Sequence, residues 1–295
     1  MNVLITCDAF KGSLSAMEVC LAIQDGINKA NPDINTRIFP MADGGEGTLD
    51  VLKAHMPIKQ VEVDVQDPLG RLITTSYFVS GKTAFIELSR ASGYILLDED
   101  ERNPMFTSTM GTGQQIKHAI EGGVDKVYLF LGGSATNDAA TGIAYALGFR
   151  FRDASGNELK PIGANLHLIR YINLPASDLS HVSFTILCDV KNPLYGTTGA
   201  AFTYAAQKGA SPEEIAQLDI GLKQFASVVF QQLGKDISHM EGGGAAGGVS
   251  AGMVGLFNGQ LERGFDCISE VSGLEQAISE SDIVISGEGQ LDRQT

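Results

Sequence analysis

The stretch Leu131-Gly132-Gly133-Ser134-Ala135-Thr136-Asn137-Asp138 decides the fold of this chain. It follows the apolar run 127–131, which predicts a buried parallel strand, and it precedes the small, apolar segment 139–147, which predicts a packed helix. Glycines let a backbone approach a ligand closely, and free amides at a helix start favour negative charge. A plain strand-to-helix turn needs only one glycine and one polar cap. The surplus of both therefore predicts an anion-binding turn.

Strands and helices alternate on both sides of this turn, which predicts an α/β protein with mostly parallel sheets. The segment Ser211-Pro212-Glu213-Glu214 predicts a helix start that is followed by a helix to about Leu233. Three β segments between 61 and 88 follow one another without helices, which indicates antiparallel pairing and a domain boundary near residue 62. The other strands are expected at 3–7, 36–39, 182–187 and 282–286.

Acidic side chains follow all five predicted parallel strands. Ligands of open α/β sheets gather beyond the carboxyl ends of the strands, where these side chains would lie. A single acidic residue there could be a helix cap, whereas five predict a cluster around a divalent cation. The residues concerned are Asp8, Asp43 with Glu46, Asp138, Asp189 and Glu288.

Three further motifs each have a structural and a functional interpretation. Lys11, in the turn after the first strand, either forms a weak surface ion pair or neutralises a phosphate, and its position favours the phosphate. Arg71 either completes a structural turn or clamps a substrate carboxylate. The glycine-rich stretch 242–248 either allows close helix packing or places backbone amides against a nucleotide, and the sequence does not separate the two.

The composition limits the class of protein. The 295 residues are 43% hydrophobic and 19% charged, which is typical of a globular protein and not of a disordered one. A net charge of −14 argues against binding to nucleic acids or anionic membranes. No run is apolar enough to span a bilayer, the N-terminus lacks a secretory pattern, and the four cysteines are widely spaced. We therefore expect reduced thiols and a cytoplasmic protein.

The chain closely resembles the bacterial glycerate kinase family of the first type, in order, from residue 2 to residue 295. The resemblance rests on long and unusual motifs. These are Asp8-Ala9-Phe10-Lys11-Gly12-Ser13-Leu14-Ser15, Pro40-Met41-Ala42-Asp43-Gly44-Gly45-Glu46-Gly47-Thr48, the turn 132–138, Cys188-Asp189-Val190 with Asn192-Pro193-Leu194, Gln207-Lys208-Gly209-Ala210, Gly244-Ala245-Ala246-Gly247-Gly248, and Gly287-Glu288-Gly289 with Leu291-Asp292 and Gln294-Thr295.

The resemblance implies ATP-dependent phosphorylation of D-glycerate with Mg²⁺, most often at the 2-hydroxyl. Phosphorylation at the 3-hydroxyl is the alternative. It also implies two α/β domains with mostly parallel sheets. A flavodoxin-like middle domain, 63–274, would be inserted into a discontinuous Rossmann-like, three-layer domain made of 1–62 plus 275–295. D-Glycerate and ATP would be the partners, and the oligomeric state stays open.

Family members continue beyond the Leu-Asp-x-Gln-Thr motif, within which this sequence stops at Thr295. We therefore expect the C-terminal part of the first domain to be missing. A second hypothesis follows, in which the chain is a non-catalytic module that binds a nucleotide or an organic acid.

Roles for individual residues follow as hypotheses for phosphoryl transfer, which depends on positioning and charge neutralisation. Asp189 is the first candidate for the base that accepts the proton of the glycerate hydroxyl, and Asp8 is the second. Lys11 would stabilise the transferring phosphoryl group. The groups expected to hold the glycerate carboxylate or a phosphate are Arg71, Ser134, Ala135, Thr136, Asn137 and Asp138. Those expected at the nucleotide are Gly12, Ser13, Gly287, Glu288 and Gly289. Those expected at Mg²⁺ are Asp43, Glu46 and Glu288.

Overall fold

The structure of the protein, a computed structural model, describes residues 1–10, 13–42 and 48–289. The chain divides into two compact units, Met1–Ile58 with Arg263–Thr295 and Lys59–Glu262. The sequence placed its boundaries at 62/63 and 274/275 instead, and the division into two domains stays a prediction. Within the described ranges, no helix combines the length and hydrophobicity needed to cross a lipid bilayer.

The described residues form strands and helices that alternate over much of the chain. The strands are β1 Asn2–Cys7, β2 Asn35–Ile38, β3 Lys59–Gln66, β4 Leu72–Ser80, β5 Thr83–Glu87, β6 Lys126–Phe130, β7 Arg150–Arg152, β8 Tyr171–Asn173, β9 Ser183–Leu187, β10 Gln260–Glu262 and β11 Ile283–Gly287. The helices are α1 Ala16–Ala30, α2 Thr48–His55, α3 Ser89–Ser92, α4 Met110–Glu121, α5 Thr141–Ala146, α6 Pro212–Leu233, α7 Ala245–Phe257, α8 Gly264–Ser272 and α9 Leu274–Ser279.

The first unit contains a parallel sheet in the order β11-β1-β2. Its central strand β1 is buried along almost its whole length, as its apolar sequence predicts. Ser15 caps the start of helix α1, because its side chain accepts from the Glu18 amide while the Glu18 side chain accepts from the Ser15 amide. This reciprocal cap satisfies two backbone donors and fixes where the helix starts. The buried residues Val19 and Cys20 of α1 pack in one core with the apolar side chains of β1.

The second unit contains a six-stranded sheet in the order β10-β9-β6-β5-β4-β3. The first four strands run parallel, whereas β4 pairs antiparallel with both β5 and β3. This arrangement confirms the prediction of an α/β protein with mostly parallel sheets and of antiparallel strands at the start of this region. The finer classes, flavodoxin-like and Rossmann-like, stay predictions.

Helix α6 illustrates how local chemistry sets an element of the second unit. Ser211 caps the helix by accepting from the Glu214 amide, and Pro212 occupies the first turn. The helix ends at Leu233, followed by Gly234 in the left-handed conformation that commonly closes helices. The prediction of its start and end is confirmed. Its buried face, which includes Leu222 and Phe225, belongs to the larger core of the unit.

Candidate functional site

The glycine-rich turn follows β6 at the carboxyl edge of the second unit's sheet. Gly132 and Gly133 are exposed, whereas Ser134 is 7% exposed and Asn137 is 1% exposed, so the polar part of the turn lies beneath the surface. The Ala135 amide donates to the Ser92 carbonyl over 2.9 Å, and the Thr107 hydroxyl donates to the Ala135 carbonyl over 2.8 Å. These contacts hold the turn against the segments that follow β5.

Asp138 uses its carboxylate to cap the backbone around it. Its Oδ2 accepts from the amide and the hydroxyl of Thr109, both over 2.8 Å, and from the Gly142 amide over 3.2 Å. The Thr109 hydroxyl in turn accepts from the Ile143 amide over 3.1 Å. The sequence led us to expect free amides at this helix start. The structure differs because Asp138 and Thr109 occupy the amides of a helix that is only 6 residues long.

A buried lysine supplies the positive charge beside the turn. Lys208 lies just after a π-helical turn, Ala201–Ala205, and its side chain is buried within the second unit. Its Nζ donates to the hydroxyl of Ser134 and to the carbonyl of Thr136, over 2.7 Å in each case. A buried ammonium attracts an anion more strongly than an exposed one, because less water screens it.

Burial changes the protonation of both charged groups. It lowers the pKa of Lys208 to about 7, although the charge of Asp138 acts in the opposite direction. Burial likewise raises the pKa of Asp138 to about 6, and the hydrogen bonds from Thr109 oppose that rise. Each group is thus less stable in its charged form than it would be in water. An anionic ligand placed beside Lys208 would favour the protonated amine.

The third glycine-rich stretch packs directly on this turn. Ala246–Gly248 adopts the left-handed conformation, and so do Ala139 and Ala140 across from it. The Ala139 amide donates to the Gly247 carbonyl over 3.1 Å, and a Cβ on Gly247 would overlap the Thr136 carbonyl. Of the two interpretations that the sequence left open, the structure thus supports close packing. Left-handed alanines cost about 1–3 kcal/mol each and are found mainly at functional sites.

The predicted base Asp189 is exposed just beyond the end of β9. Because Phe130 of β6 pairs in parallel with Leu187 of β9, both strands end at one edge of the sheet. Asp189 therefore follows the strand next to the one that carries the glycine-rich turn. The nearby Asn192 carboxamide accepts from the Tyr204 hydroxyl over 2.7 Å, which ties this segment to the π-helical turn before Lys208.

Arg71 is engaged with two carboxylates of its own unit. Its Nε donates to Asp67 over 2.5 Å, and its terminal nitrogens donate to the two oxygens of Glu101 over 2.6 and 3.2 Å. Asp67 is 2% exposed, so the guanidinium balances a buried charge. A bidentate clamp on a substrate carboxylate through the two terminal nitrogens would compete with Glu101, to which both now donate. The role of Arg71 as a clamp stays a prediction.

In the first unit, Asp8 and Glu288 follow neighbouring parallel strands. Cys7 pairs with Gly287, and the Asp8 amide donates to the Gly287 carbonyl over 2.9 Å. The exposed Ser13 donates its amide to the Phe10 carbonyl over 2.8 Å, and Gly289 is also exposed. Four other predicted site residues lie outside the described residues, namely Lys11, Gly12, Asp43 and Glu46.

The fit of a metal ion can be judged only in the part of the chain that the structure describes. There, no group of three histidine, cysteine or acidic side chains is placed to hold an ion. Glu288 is the one predicted ligand within that part, and Asp43 and Glu46 are not described. The described residues therefore form no site in which three protein side chains would hold the ion, and no catalytic step is assigned to Mg²⁺.

Lys208 is the residue of this site that sequence reasoning did not assign. It stands in the motif Gln207-Lys208-Gly209-Ala210, which contributed to the family resemblance without a role. A lysine followed by glycine in an acidic chain was the available indication. Its partners Ser134 and Thr136 lie 74 and 72 residues away, so only the tertiary structure reveals the contact.

Comparison with known proteins gives consistent results. The sequence profile of the glycerate kinase family matches residues 3–295. A glycerate kinase of Halalkalibacterium halodurans is 38% identical over 298 residues, which cover 100% of this chain and 78% of that protein. The glycerate 2-kinase of Escherichia coli K12 is 38% identical over 299 residues, with the same coverage of both chains.

A solved structure agrees with the sequence comparisons. The putative glycerate kinase 2 of Salmonella typhimurium LT2 superposes with a TM-score of 0.92 at 39% identity, covering 100% of this chain and 80% of that one. The similarity thus extends over the whole chain in sequence and in fold. The chain belongs to the glycerate kinase family.

Proposed function

We propose that this chain phosphorylates D-glycerate at its 2-hydroxyl, with ATP as the phosphoryl donor. The observation that carries the proposal is membership of the glycerate kinase family along residues 3–295. The choice of the 2-hydroxyl rests on the Escherichia coli relative, whose name is glycerate 2-kinase. A non-catalytic binding module is the weaker hypothesis, because these relatives are named as kinases.

In this proposal the glycine-rich turn 134–138 and Arg71 hold the acid. Asp189 accepts the proton of the attacking hydroxyl, with Asp8 as the second candidate. Lys11 stabilises the negative charge on the transferring phosphoryl group. Support for the base comes from its position, since Asp189 follows the strand adjacent to the turn.

The nucleotide would bind at the residues assigned to it from the sequence, which are Gly12, Ser13, Gly287, Glu288 and Gly289. A requirement for Mg²⁺, with Asp43, Glu46 and Glu288 as ligands, is a further part of the proposal. Mg²⁺ commonly uses only one or two carboxylates together with the substrate phosphates. Loss of turnover in EDTA and its recovery with added Mg²⁺ would test the requirement. A cytoplasmic location likewise stays a prediction.

The proposal is tested by D-glycerate-dependent release of ADP in a coupled assay. Proton-coupled ³¹P NMR of the product then identifies the acceptor, since the 2-phosphate has one neighbouring proton and gives a doublet. The 3-phosphate has two such protons and would give a triplet. Binding of D-glycerate and ATP without turnover would instead favour the binding module.

A further inference from the structure

Three consecutive residues of the glycine-rich turn carry buried polar atoms that bond to none of the residues the structure describes. These atoms are the hydroxyl of Thr136, both polar atoms of the Asn137 carboxamide and Oδ1 of Asp138. Each of the three residues is at most 1% exposed. Buried polar groups are nearly always paired, and an unpaired one is costly. Such a concentration in one turn requires an explanation.

Lys208 adds a charged donor at the same place. Its Nζ binds the Thr136 carbonyl and the Ser134 hydroxyl, which uses two of the three N–H groups of the ammonium. As far as the described residues go, the turn thus combines unused donors on Lys208, Thr136 and Asn137 with unused acceptors on Asn137 and Asp138. A hydroxy acid offers the complementary set, because its carboxylate accepts hydrogen bonds and its hydroxyl both donates and accepts.

The surrounding structure prevents the turn from relaxing to pair these atoms. The Ala139 amide is hydrogen-bonded to the Gly247 carbonyl. Gly247 lies so close to the Thr136 backbone that a Cβ on the glycine would not fit. Asp138 is fixed by three hydrogen bonds from Thr109 and Gly142. Unpaired groups held in this way are typical of a binding site whose geometry is set before the ligand arrives.

We infer that Thr136, Asn137 and the Lys208 ammonium form the subsite that binds the carboxylate and adjacent hydroxyl of a small 2-hydroxy acid. The inference rests on the proposed function, in which that acid is D-glycerate, and it identifies the groups that hold it. The two other occupants compatible with these atoms are buried water and a phosphate of ATP. The experiment distinguishes all three.

The central variant is Thr136→Val, which removes the unpaired hydroxyl and keeps the shape of the side chain. Its matched control is Thr112→Val, because Thr112 is also 0% exposed but its hydroxyl bonds to Ser92 over 2.7 Å. The Thr136 hydroxyl has no hydrogen-bond partner among the described residues, so we expect Thr136→Val to have an unchanged or higher Tm. We expect the KM and Kd for D-glycerate to rise about tenfold, with the KM for ATP unchanged.

The control should show the opposite pattern, with a lower Tm and unchanged constants for D-glycerate. Asn137→Leu provides a second test of the subsite if Thr136→Val folds poorly. The expected change in D-glycerate affinity is the same. A Thr136→Val protein that loses stability and keeps its D-glycerate affinity would assign the atoms to buried water. A rise in the KM for ATP alone would assign them to a phosphate. Either result overturns the inference.

Failure of the proposed function would be recognised separately. If the wild-type chain binds D-glycerate in calorimetry but releases no ADP, the proposed reaction fails, and the Kd of Thr136→Val still decides the subsite. If the wild-type chain does not bind D-glycerate, the subsite assignment is wrong. If all three variants release ADP normally, with unchanged KM and Kd for D-glycerate, the proposed reaction is supported and the subsite assignment is wrong.

Discussion

The ammonium of Lys208 donates to the hydroxyl of Ser134 over 2.7 Å, although 74 residues separate the two in the sequence. The contact places a buried cation beneath a glycine-rich turn in a chain whose net charge is −14. An acidic protein repels an anionic substrate at long range, so local positive charge must compensate at the site. This contact provides that compensation and has consequences that can be measured.

The first prediction concerns stability between pH 7 and pH 9. Burial lowers the pKa of Lys208 from 10.5 to about 7, so the unfolded chain holds a proton there that the folded chain has released. The contribution of Lys208 to the free energy of unfolding should therefore increase as the pH rises, by at most about 1.4 kcal/mol per pH unit. Urea unfolding at several pH values should show a steeper rise for the wild type than for Lys208→Met. Equal slopes would show that Lys208 is not buried as a titrating group.

The second prediction is that Asp138 makes the free energy of unfolding fall, not rise, as the pH increases, and that it does so at lower pH than Lys208. Burial raises its pKa from 3.8 to about 6, so the folded chain retains a proton that the unfolded chain has lost. Its contribution to stability is full below its unfolded pKa and is lost as the pH rises through 6. Comparison of the wild type with Asp138→Asn by urea unfolding at pH 4 and pH 7 would measure this term. A wild-type chain that gained stability relative to Asp138→Asn over that interval would contradict the expectation.

A third prediction tests the packing of the two glycine-rich segments. Gly247 and Gly234 have nearly the same φ, 69° and 70°, but only Gly247 has backbone atoms where a Cβ would lie. Gly234→Ala should therefore cost only the left-handed conformation, about 1–2 kcal/mol. Gly247→Ala should cost about 1–3 kcal/mol more through overlap with Thr136, or prevent folding. Similar losses in both variants by denaturant unfolding would argue against the close contact.

Much of the scaffold could be predicted from local sequence. The apolar runs at 3–7 and 127–131 became β1, Asn2–Cys7, and β6, Lys126–Phe130, because continuous apolar segments suit parallel strands buried on both faces. The start of α6 was predicted because Ser211 and its neighbours carry their own capping chemistry. Signals of this kind act over a few residues and are visible without tertiary contacts.

The interior of the site could not be predicted in the same way. Asp138 satisfies amides with the help of Thr109, which lies 29 residues earlier, so the expected free helix amides do not exist. Lys208 reaches Ser134 and Thr136 only because a separate segment folds beside the turn. The alternative interpretations of the stretch 242–248 were separated by one backbone contact between Gly247 and Thr136. All three features depend on distant parts of the chain.

A fourth prediction concerns the catalytic base. Asp189→Asn should lower kcat by about 10²–10⁴ while the KM for D-glycerate changes little, since a base acts on the proton and not on affinity. Asp8→Asn should have a smaller effect if Asp189 is the base. Asp178→Asn is the control, because its carboxylate bonds only locally to Ser180 among the described residues. A larger loss in Asp8→Asn than in Asp189→Asn would reverse the assignment.

A fifth prediction concerns protons that accompany ligand binding. At pH 8 a lysine with a pKa of about 7 is mostly neutral, and an anion bound beside it would raise that pKa. D-Glycerate should therefore bind with uptake of up to about one proton in the wild type. Calorimetry in buffers that differ in ionisation enthalpy would measure the uptake, which Lys208→Met should lack. Binding without proton uptake in the wild type would place the anion away from Lys208.

The most direct test of the account is D-glycerate-dependent ADP release by the wild-type chain beside Lys208→Met. Lys82→Met serves as the control, because that lysine is exposed and pairs with Asp125 at the surface. The wild type and the control should turn over D-glycerate, whereas kcat/KM for D-glycerate should fall by about 10²–10³ in Lys208→Met, with the KM for ATP unchanged. A wild-type chain without D-glycerate-dependent ADP release, or a Lys208→Met chain as active as the control, would contradict the account.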